Sequence, residues 1–362
     1  MSSPHPNEGR RMPEPPGSDP SASAASSHER LPSLGQTPSA AQSDTPSSSV
    51  SFGDFSTGLS VDNGDRDADS AIFDLNQAQS SMSVASSLYD FVVEHGRTYH
   101  RYKQGNLQHM ICVKLFGNRL SLAPIREPAR VLDIGTGTGT WAIEFAIQHP
   151  ASDVLGTDLS PIQPEYVPPN CRFEIDDVDD EWMFSTKFDY IHARHMVGSI
   201  SDFPKFFGVV YDNLTPGGWV EMQDYYVKLQ SVDGTLEGTT LQRWSNMVNQ
   251  ALAFVGRSGL NTVKYKRWLR EAGFVDVREE AFALPGNPWA KGEEQKQLGA
   301  LQMENILEGL HGISIRLFTK FLGMSPQAVE ALLVDVRRDL MDRNIHFYYP
   351  IMTVYGRKPL SE

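Results

Sequence analysis

From residue 129 onward, the pattern of hydrophobic and polar positions predicts alternating strands and helices. Short apolar runs are followed by amphipathic stretches, as expected for parallel strands joined by crossover helices. Helical periodicity predicts helices over 140–148 and 203–213, the second ending before the Pro216-Gly217-Gly218 turn. The apolar runs predict strands over 130–134, 153–157, 172–175, 190–193 and 218–223.

The C-terminal part predicts further elements around the same sheet. A helix over 263–272 leads into a strand over 275–284, and a last apolar run over 346–355 predicts another strand. We expect these two strands to pair antiparallel at the end of the sheet. Helical periodicity also predicts insertions where a cap over a substrate is expected, over 239–254, 293–310 and 325–342.

The segment before the sheet divides into two parts. Residues 1–80 are rich in Ser, Pro, Ala, Gly and Asp, contain no Lys, and offer only isolated apolar residues such as Phe52. Such a segment buries too little apolar surface to offset a backbone ordering cost of about 1–2 kcal/mol per residue. It is therefore predicted to be a disordered tail. Residues 81–128 are predicted to be a helical lead-in, with helices starting near Leu88 and over 107–122.

Composition and charge narrow the classes of function. The net charge is −13, and no run of Lys or Arg is long enough for a phosphate-binding surface, so direct nucleic-acid binding is not expected. Cys112 and Cys171 belong to no C-x-x-C pair or His cluster, so neither a disulfide framework nor a metal site is expected. The chain has no apolar run of about 18 residues, and its first residues do not resemble a secretory signal. We therefore expect an intracellular protein without a transmembrane segment.

The strongest motif is a buried strand that runs into a glycine-rich turn and then into a helix. It contains Asp133, Gly135, Gly137 and Gly139 in the order D-x-G-x-G-x-G. Glycines at alternate positions let the backbone turn tightly and approach a ligand closely. A dinucleotide site usually has G-x-G-x-x-G, with a third glycine where this chain has Thr140. An acid before the turn repels a pyrophosphate but attracts the cationic methionine end of S-adenosylmethionine (SAM), so the spacing favours SAM over NAD.

Acids after the next two strands extend this predicted site. Asp158 follows the second strand about 20 residues beyond the glycines, where an acid can accept hydrogen bonds from both ribose hydroxyls. The alternative is that Asp158 only caps the turn at Ser160. Asp176 and Asp177 follow the third strand, where a carboxylate is expected near the adenine amino group. Val178 or Trp182 is expected at the ring face, and the acids over 179–181 are expected to face solvent.

The chemistry of methyl transfer does not single out a catalytic residue. The sulfonium is already activated, and the transfer depends mainly on proximity and orientation. A general base is required only when the acceptor carries a proton of high pKa. The substrate-side candidates lie at the ends of the fourth and fifth predicted strands: His195, Gln223, Asp224 and Tyr225.

These motifs resemble those of the LaeA-like family of fungal methyltransferases, which includes velvet-associated regulators of development and secondary metabolism. The resemblance implies a Rossmann-like class I α/β fold, with a mostly parallel seven-stranded sheet, helices on both faces and helical insertions over 129–362. It also implies SAM binding by Asp133, the three glycines and Asp158, a regulatory complex with velvet-type proteins, and a place in the nucleus and cytoplasm. The matching segments are 97–105, 131–139, 156–164, 173–177, 181–182 and 216–218.

One departure from the family pattern follows Gly105. In similar proteins an acidic stretch precedes the next helix, whereas here Gly105 runs almost directly into Leu107-Gln-His109. Three functions remain open at this point. The protein is a regulator acting in a complex, an enzyme that methylates a small metabolite under an apolar lid, or a catalytically impaired scaffold that lacks the acidic stretch.

Overall fold

A mixed β-sheet organises the structure, a computed structural model that describes residues 58–62, 92–94, 97–99 and 101–360. In chain order, its strands are β1 (Val92–Glu94), β2 (Arg97–Tyr99), β3 (Arg130–Ile134), β4 (Asp153–Asp158), β5 (Cys171–Ile175), β6 (Phe188–Arg194), β7 (Leu214–Tyr225), β8 (Gln230–Ser231), β9 (Val275–Pro285) and β10 (Phe347–Arg357). The helices are α1 (Arg101–Leu115), α2 (Thr140–Gln148), α3 (Phe203–Asn213), α4 (Thr240–Phe254), α5 (Tyr265–Glu271), α6 (Glu293–Phe321) and α7 (Pro326–Met341).

The main sheet follows the order β5-β4-β3-β6-β7-β10-β8, with β9 paired to β10. The strands from β5 to β7 are parallel, whereas β10 runs antiparallel to both β7 and β9. The predicted α/β fold and the predicted antiparallel pair at the end of the sheet are therefore confirmed. The two-residue strand β8 is an addition to the seven predicted strands.

Alternate residues of the parallel strands pack into cores on opposite faces of the sheet. Leu132 of β3 joins a cluster with Phe203 and Tyr265, which belong to α3 and α5. Val131, its neighbour along the strand, joins a cluster with Trp141 of α2. Side chains alternate between the two faces of a strand, and strands buried on both faces read as continuous apolar runs. This explains why the sequence predicted β3 and β4 closely. The fifth predicted strand begins earlier than expected, at Leu214, so that the predicted turn at Pro216-Gly217-Gly218 lies within β7.

The inserted helices form a core of their own. Residues from α1, α4, α6 and α7 pack together and against β10. Trp244 of α4, for example, donates a hydrogen bond from its indole Nε1 to Ser314 of α6 at 2.8 Å. Among the described residues, no helix is both long and apolar enough to cross a membrane.

The predicted helical lead-in differs from the structure at two places. Where a helix was predicted from Leu88, β1 and β2 pair antiparallel, while Leu88 itself lies outside the described residues. The β-branched pair Val92-Val93 and the His-Gly sequence between the strands favour a hairpin. The helix predicted over 107–122 is α1, which ends at Leu115. It stops there because Gly117 adopts a left-handed conformation, and the next amide donates to the carbonyl of Val113 at 2.8 Å.

Part of the predicted disordered tail is ordered. Val61 forms an isolated antiparallel bridge with Ala290, and the amide of Lys291 donates to the carbonyl of Ser60 at 2.9 Å. The carboxylate of Asp62 forms an ion pair with Lys296 at the start of α6. The prediction of disorder is therefore wrong for residues 58–62, because backbone groups near Ala290 and the buried Lys296 provide partners for this segment. The remainder of 1–80 lies outside the described residues.

Candidate functional site

A cavity of about 520 Å³ lies at the carboxyl ends of the parallel strands. It is bounded by the turn after β3, the end of β4, the loop after β5 and the residues that end and follow β6. Open α/β sheets bind ligands in this position, beside the strand at which the chain order reverses. Of the predicted cofactor residues, Asp133, Gly135, Gly137, Asp158, Asp176 and Asp177 all line the cavity.

The turn after β3 depends on its glycines. Gly135, Gly137 and Gly139 have φ values of 64°, 58° and 77°, in the left-handed region that side chains rarely adopt. Gly139 is buried beneath the lining, and a Cβ there would lie 2.3 Å from the ring of Phe173. The predicted glycine requirement thus has two sources, the backbone conformation and the close packing of the turn on β5.

Asp133 is held in place from both sides. Its Oδ2 accepts a hydrogen bond from the Thr136 hydroxyl at 2.6 Å, and its Oδ1 lies 2.7 Å from Nδ1 of His192. The His192 ring is fully buried and stacks on Trp141, with centroids 3.7 Å apart. A carboxylate has about four acceptor positions, so Asp133 retains capacity for a ligand while its orientation is fixed.

The position of Asp158 is compatible with both roles that the sequence left open, ribose binding and capping of the turn at Ser160. Its Oδ1 accepts from the Ser160 amide at 3.0 Å, which is the predicted turn cap. Its Oδ2 accepts from the amide of Gly137 at 2.8 Å, so the acid also fixes the glycine turn. Because Asp158 lines the cavity and retains acceptor positions, its role toward a ribose stays a prediction.

The loop after β5 forms an acidic end of the cavity. Burial, together with the nearby charges of Asp180 and Glu174, raises the pKa of Asp176. Val178 lines the cavity, whereas Trp182 does not belong to the lining and packs against apolar residues, so the placement favours Val178 at the ring face, which stays a prediction.

Asp179 corrects a further expectation about this loop. Rather than facing solvent, it lines the cavity and pairs with Arg257 at 3.4 Å. Its Oδ1 also accepts from the amide of Ser201. The loop after β5 is therefore tied to the segments that follow β6 and α4, and Arg257 is a cavity residue that the sequence analysis missed.

His195 lines the cavity and is the first residue after β6. It has a φ of 61°, and its Nε2 lies 3.6 Å from the thiol of Cys112. Burial, with the charge of neighbouring Arg194, lowers the pKa of His195 to about 3. The imidazole is therefore neutral at physiological pH and is a weak base.

The other three substrate-side candidates do not line the cavity. Gln223 donates to the buried carboxylate of Glu221 at 2.7 Å, and Asp224 accepts from the amide of Val197 and the hydroxyl of Tyr265. Tyr225 packs behind His195, with ring centroids 4.9 Å apart. The physical reason is that each of these side chains is engaged by partners inside the protein, so β7 brings them to this end of the sheet without presenting them to a ligand.

Helix α1 closes one side of the cavity. Gln108 lines it, and Asn106 accepts a hydrogen bond from the Thr140 hydroxyl at 2.8 Å. The helix runs without interruption through Gly105. No residue of α4, α6 or α7 belongs to the lining of this cavity, so the predicted cap over a substrate stays a prediction.

Comparisons with known proteins agree on a methyltransferase. Residues 105–279 match a family model described as a methyltransferase domain. The chain is 35% identical over 302 residues to methyltransferase pytC of Aspergillus terreus, covering 79% of this chain and 93% of that protein. It is 34% identical over 257 residues to the probable methyltransferase tdiE of Emericella nidulans, covering 70% and 81%. It is 31% identical over 287 residues to the secondary metabolism regulator laeA of Monascus pilosus, covering 74% and 78%.

Proposed function

The chain belongs to the LaeA-like family of methyltransferases, and from that premise we propose that it regulates secondary metabolism through methyl transfer within a protein complex. The protein is a SAM-dependent methyltransferase. The regulatory role is supported by a relative named as a secondary metabolism regulator, with which it shares most of its length. A velvet-type partner and a place in the nucleus and cytoplasm belong to the same proposal.

The residues around the cavity fit SAM. The left-handed glycines bring backbone close to the space beside Asp133, and acids line the ends of three adjacent strands. We assign Asp133 to the cationic methionine end, Asp158 to the ribose, and Asp176 and Asp177 to the adenine amino group. When bound, the cofactor supplies a methyl group on an activated sulfonium, and the protein contributes position and orientation.

The acceptor side of the cavity restricts the reaction. Two imidazoles near the end of β6 line the cavity: His192 is bound through Nδ1 to Asp133, and His195, with a pKa of about 3, cannot take a proton from an alcohol efficiently. The site therefore favours an acceptor atom that has no proton to lose or that arrives already deprotonated. Proximity then provides most of the rate enhancement.

Cofactor use is tested with purified protein. Calorimetric titration with SAM is expected to show binding that Asp158→Asn weakens, while Asp153→Asn, an exposed change at the opposite end of β4, leaves it intact. Regulation is tested by restoring a deletion strain with wild type or with Asp158→Asn. Recovery of secondary-metabolite production and of a velvet-type partner by wild type alone supports the proposal. Unchanged metabolites in the deletion strain would contradict it.

A second candidate is an enzyme that methylates a small metabolite. The observation that favours it is the cavity itself, because about 520 Å³ is in the range of small-molecule sites and must also hold the cofactor. Accumulation of one unmethylated intermediate in the deletion strain would support this reading, whereas changes across many pathways support regulation. A catalytically impaired scaffold requires that the purified protein fail to turn over SAM.

A further inference from the structure

Arg194 lines the cavity but is not among the residues assigned to the cofactor above. Asp133 on β3 and His192 on β6 are register partners in adjacent parallel strands, and their side chains are in contact. Arg194 lies two residues beyond His192, so its side chain leaves the sheet on the same face. One face of the site thus carries both an anion and a cation, and both line the cavity.

The guanidinium of Arg194 is held by a chain of two further residues. Nε2 of His109 on α1 lies 2.6 Å from the carboxylate of Glu144 on α2, and Nδ1 of the same ring lies 3.1 Å from Nη2 of Arg194. Burial, with the charge of Arg194, lowers the pKa of His109 to about 4, so the ring is neutral. Its Nε2–H donates to Glu144, which leaves the Nδ1 lone pair to accept from Arg194. The chain fixes the tautomer and aims the cation.

The positive charge of Arg194 is not neutralised by the described part of the chain. Within it, no carboxylate lies within ion-pairing distance of this guanidinium, in contrast to Arg257, which pairs with Asp179. The nearby thiol of Cys112 does not supply an anion, because burial raises its pKa. A cation that is positioned by other residues and left without a counter-charge in a cavity is suited to an anionic ligand group.

We propose that Arg194 binds the carboxylate of the methionine part of SAM, with Glu144 and His109 as positioning residues. An amino acid carries its ammonium and carboxylate on one carbon, so it requires an anion and a cation on the same side of a site. Asp133 and Arg194 provide this pair. The inference rests on the cofactor and not on the regulatory role, which can fail without affecting it.

The test compares SAM with decarboxylated SAM, which keeps the sulfonium and the amino group. Affinities for both are measured by calorimetry on wild type and on Arg194→Gln. Wild type is expected to bind SAM about tenfold to a hundredfold more tightly than the decarboxylated compound, as for one charge-assisted hydrogen-bonded pair. In Arg194→Gln the two affinities should become nearly equal, through weaker binding of SAM alone.

Two further variants make the result decisive. Arg257→Gln removes a cation from the same cavity and is expected to keep the preference of wild type for SAM. Arg194→Lys keeps the charge without the planar guanidinium and should keep part of the preference for SAM. This variant replaces Arg194→Gln in the test if the glutamine variant does not fold. The proposal is overturned if wild type shows no preference for SAM over decarboxylated SAM, or if Arg194→Gln keeps the wild-type preference. In the second case Arg194 would be available to bind the methyl acceptor instead. If wild type binds neither compound, the result would instead contradict the use of SAM as a cofactor.

Discussion

The ion pair between Asp62 and Lys296 predicts that five residues of the N-terminal tail belong to the folding unit. The Lys296 side chain is 4% exposed and that of Asp62 is 13% exposed, so both charges are largely removed from water. Among the described residues, Asp62 is the carboxylate that pairs with this lysine. Removing one member of a buried pair leaves an uncompensated charge and typically costs about 3–5 kcal/mol.

Asp62→Ala is therefore expected to lower the free energy of unfolding by about 3 kcal/mol. For a domain of this size such a loss corresponds to a fall of roughly 6–12 °C in the melting temperature. Deletion of residues 1–57 should leave the melting temperature unchanged, because the docked segment, residues 58–62, remains. Deletion of 1–63 should cost at least as much as Asp62→Ala, since the backbone hydrogen bonds at Ser60 and Asp62 are lost as well.

Thermal and urea denaturation of these proteins, followed by circular dichroism, provides the measurement. The double variant Asp62→Ala, Lys296→Met is the control, because replacing both charges by apolar groups should recover most of the lost stability. A melting temperature of Asp62→Ala within about 2 °C of wild type, under 1 kcal/mol on the same scale, would refute the reasoning. So would a 1–63 deletion that melts with wild type.

Three other outcomes follow from the site and its surroundings. Gly139→Ala should destabilise the protein by about 1–3 kcal/mol and weaken SAM binding, because φ is 77° there and a Cβ would clash; Gly208→Ala, in open space on a helix, is the control and should not weaken binding. Burial raises the pKa of Asp224 to about 7, so its contribution to stability is complete below the ordinary value of 3.8 and is lost as pH rises through 7. Urea unfolding between pH 4 and 8 should show this decline in wild type and a smaller one in Asp224→Asn. Glu144→Gln should reduce, without abolishing, the preference for SAM over decarboxylated SAM in calorimetry, because Arg194 remains but is less firmly aimed; an unchanged preference would exclude Glu144 from positioning it.

The sequence predicted best those elements whose boundaries are set by nearby residues. The helix α3 was predicted with its observed ends because Asp202 caps it, accepting from the amide of Lys205, and a proline stands in its first turn. The docked segment 58–62 could not be predicted in this way. Its stability comes from Ala290, Lys291 and Lys296, which are distant in sequence, and the segment itself has the polar composition of its surroundings.

In the candidate site, too, the residues with a local sequence signal were predicted and those placed by distant contacts were not. Asp133, Asp158 and Asp176 were found because each lies at or just beyond the carboxyl end of a parallel strand, and these ends meet at one edge of the sheet. The same rule failed at β7, where the last side chains are engaged inside the protein, as Asp224 is by the amide of Val197 and the hydroxyl of Tyr265.

Arg194 was missed although it stands next to His195, because what distinguishes it is not local. Its guanidinium acquires a fixed direction only when α1 and α2 bring His109 and Glu144 together against the end of β6. The acids and glycines were found because they stand at short spacings along the chain, within one strand and turn or at the end of the next strand. The cation that complements them is supplied by packing between elements, and the comparison of SAM with its decarboxylated form measures that contribution directly.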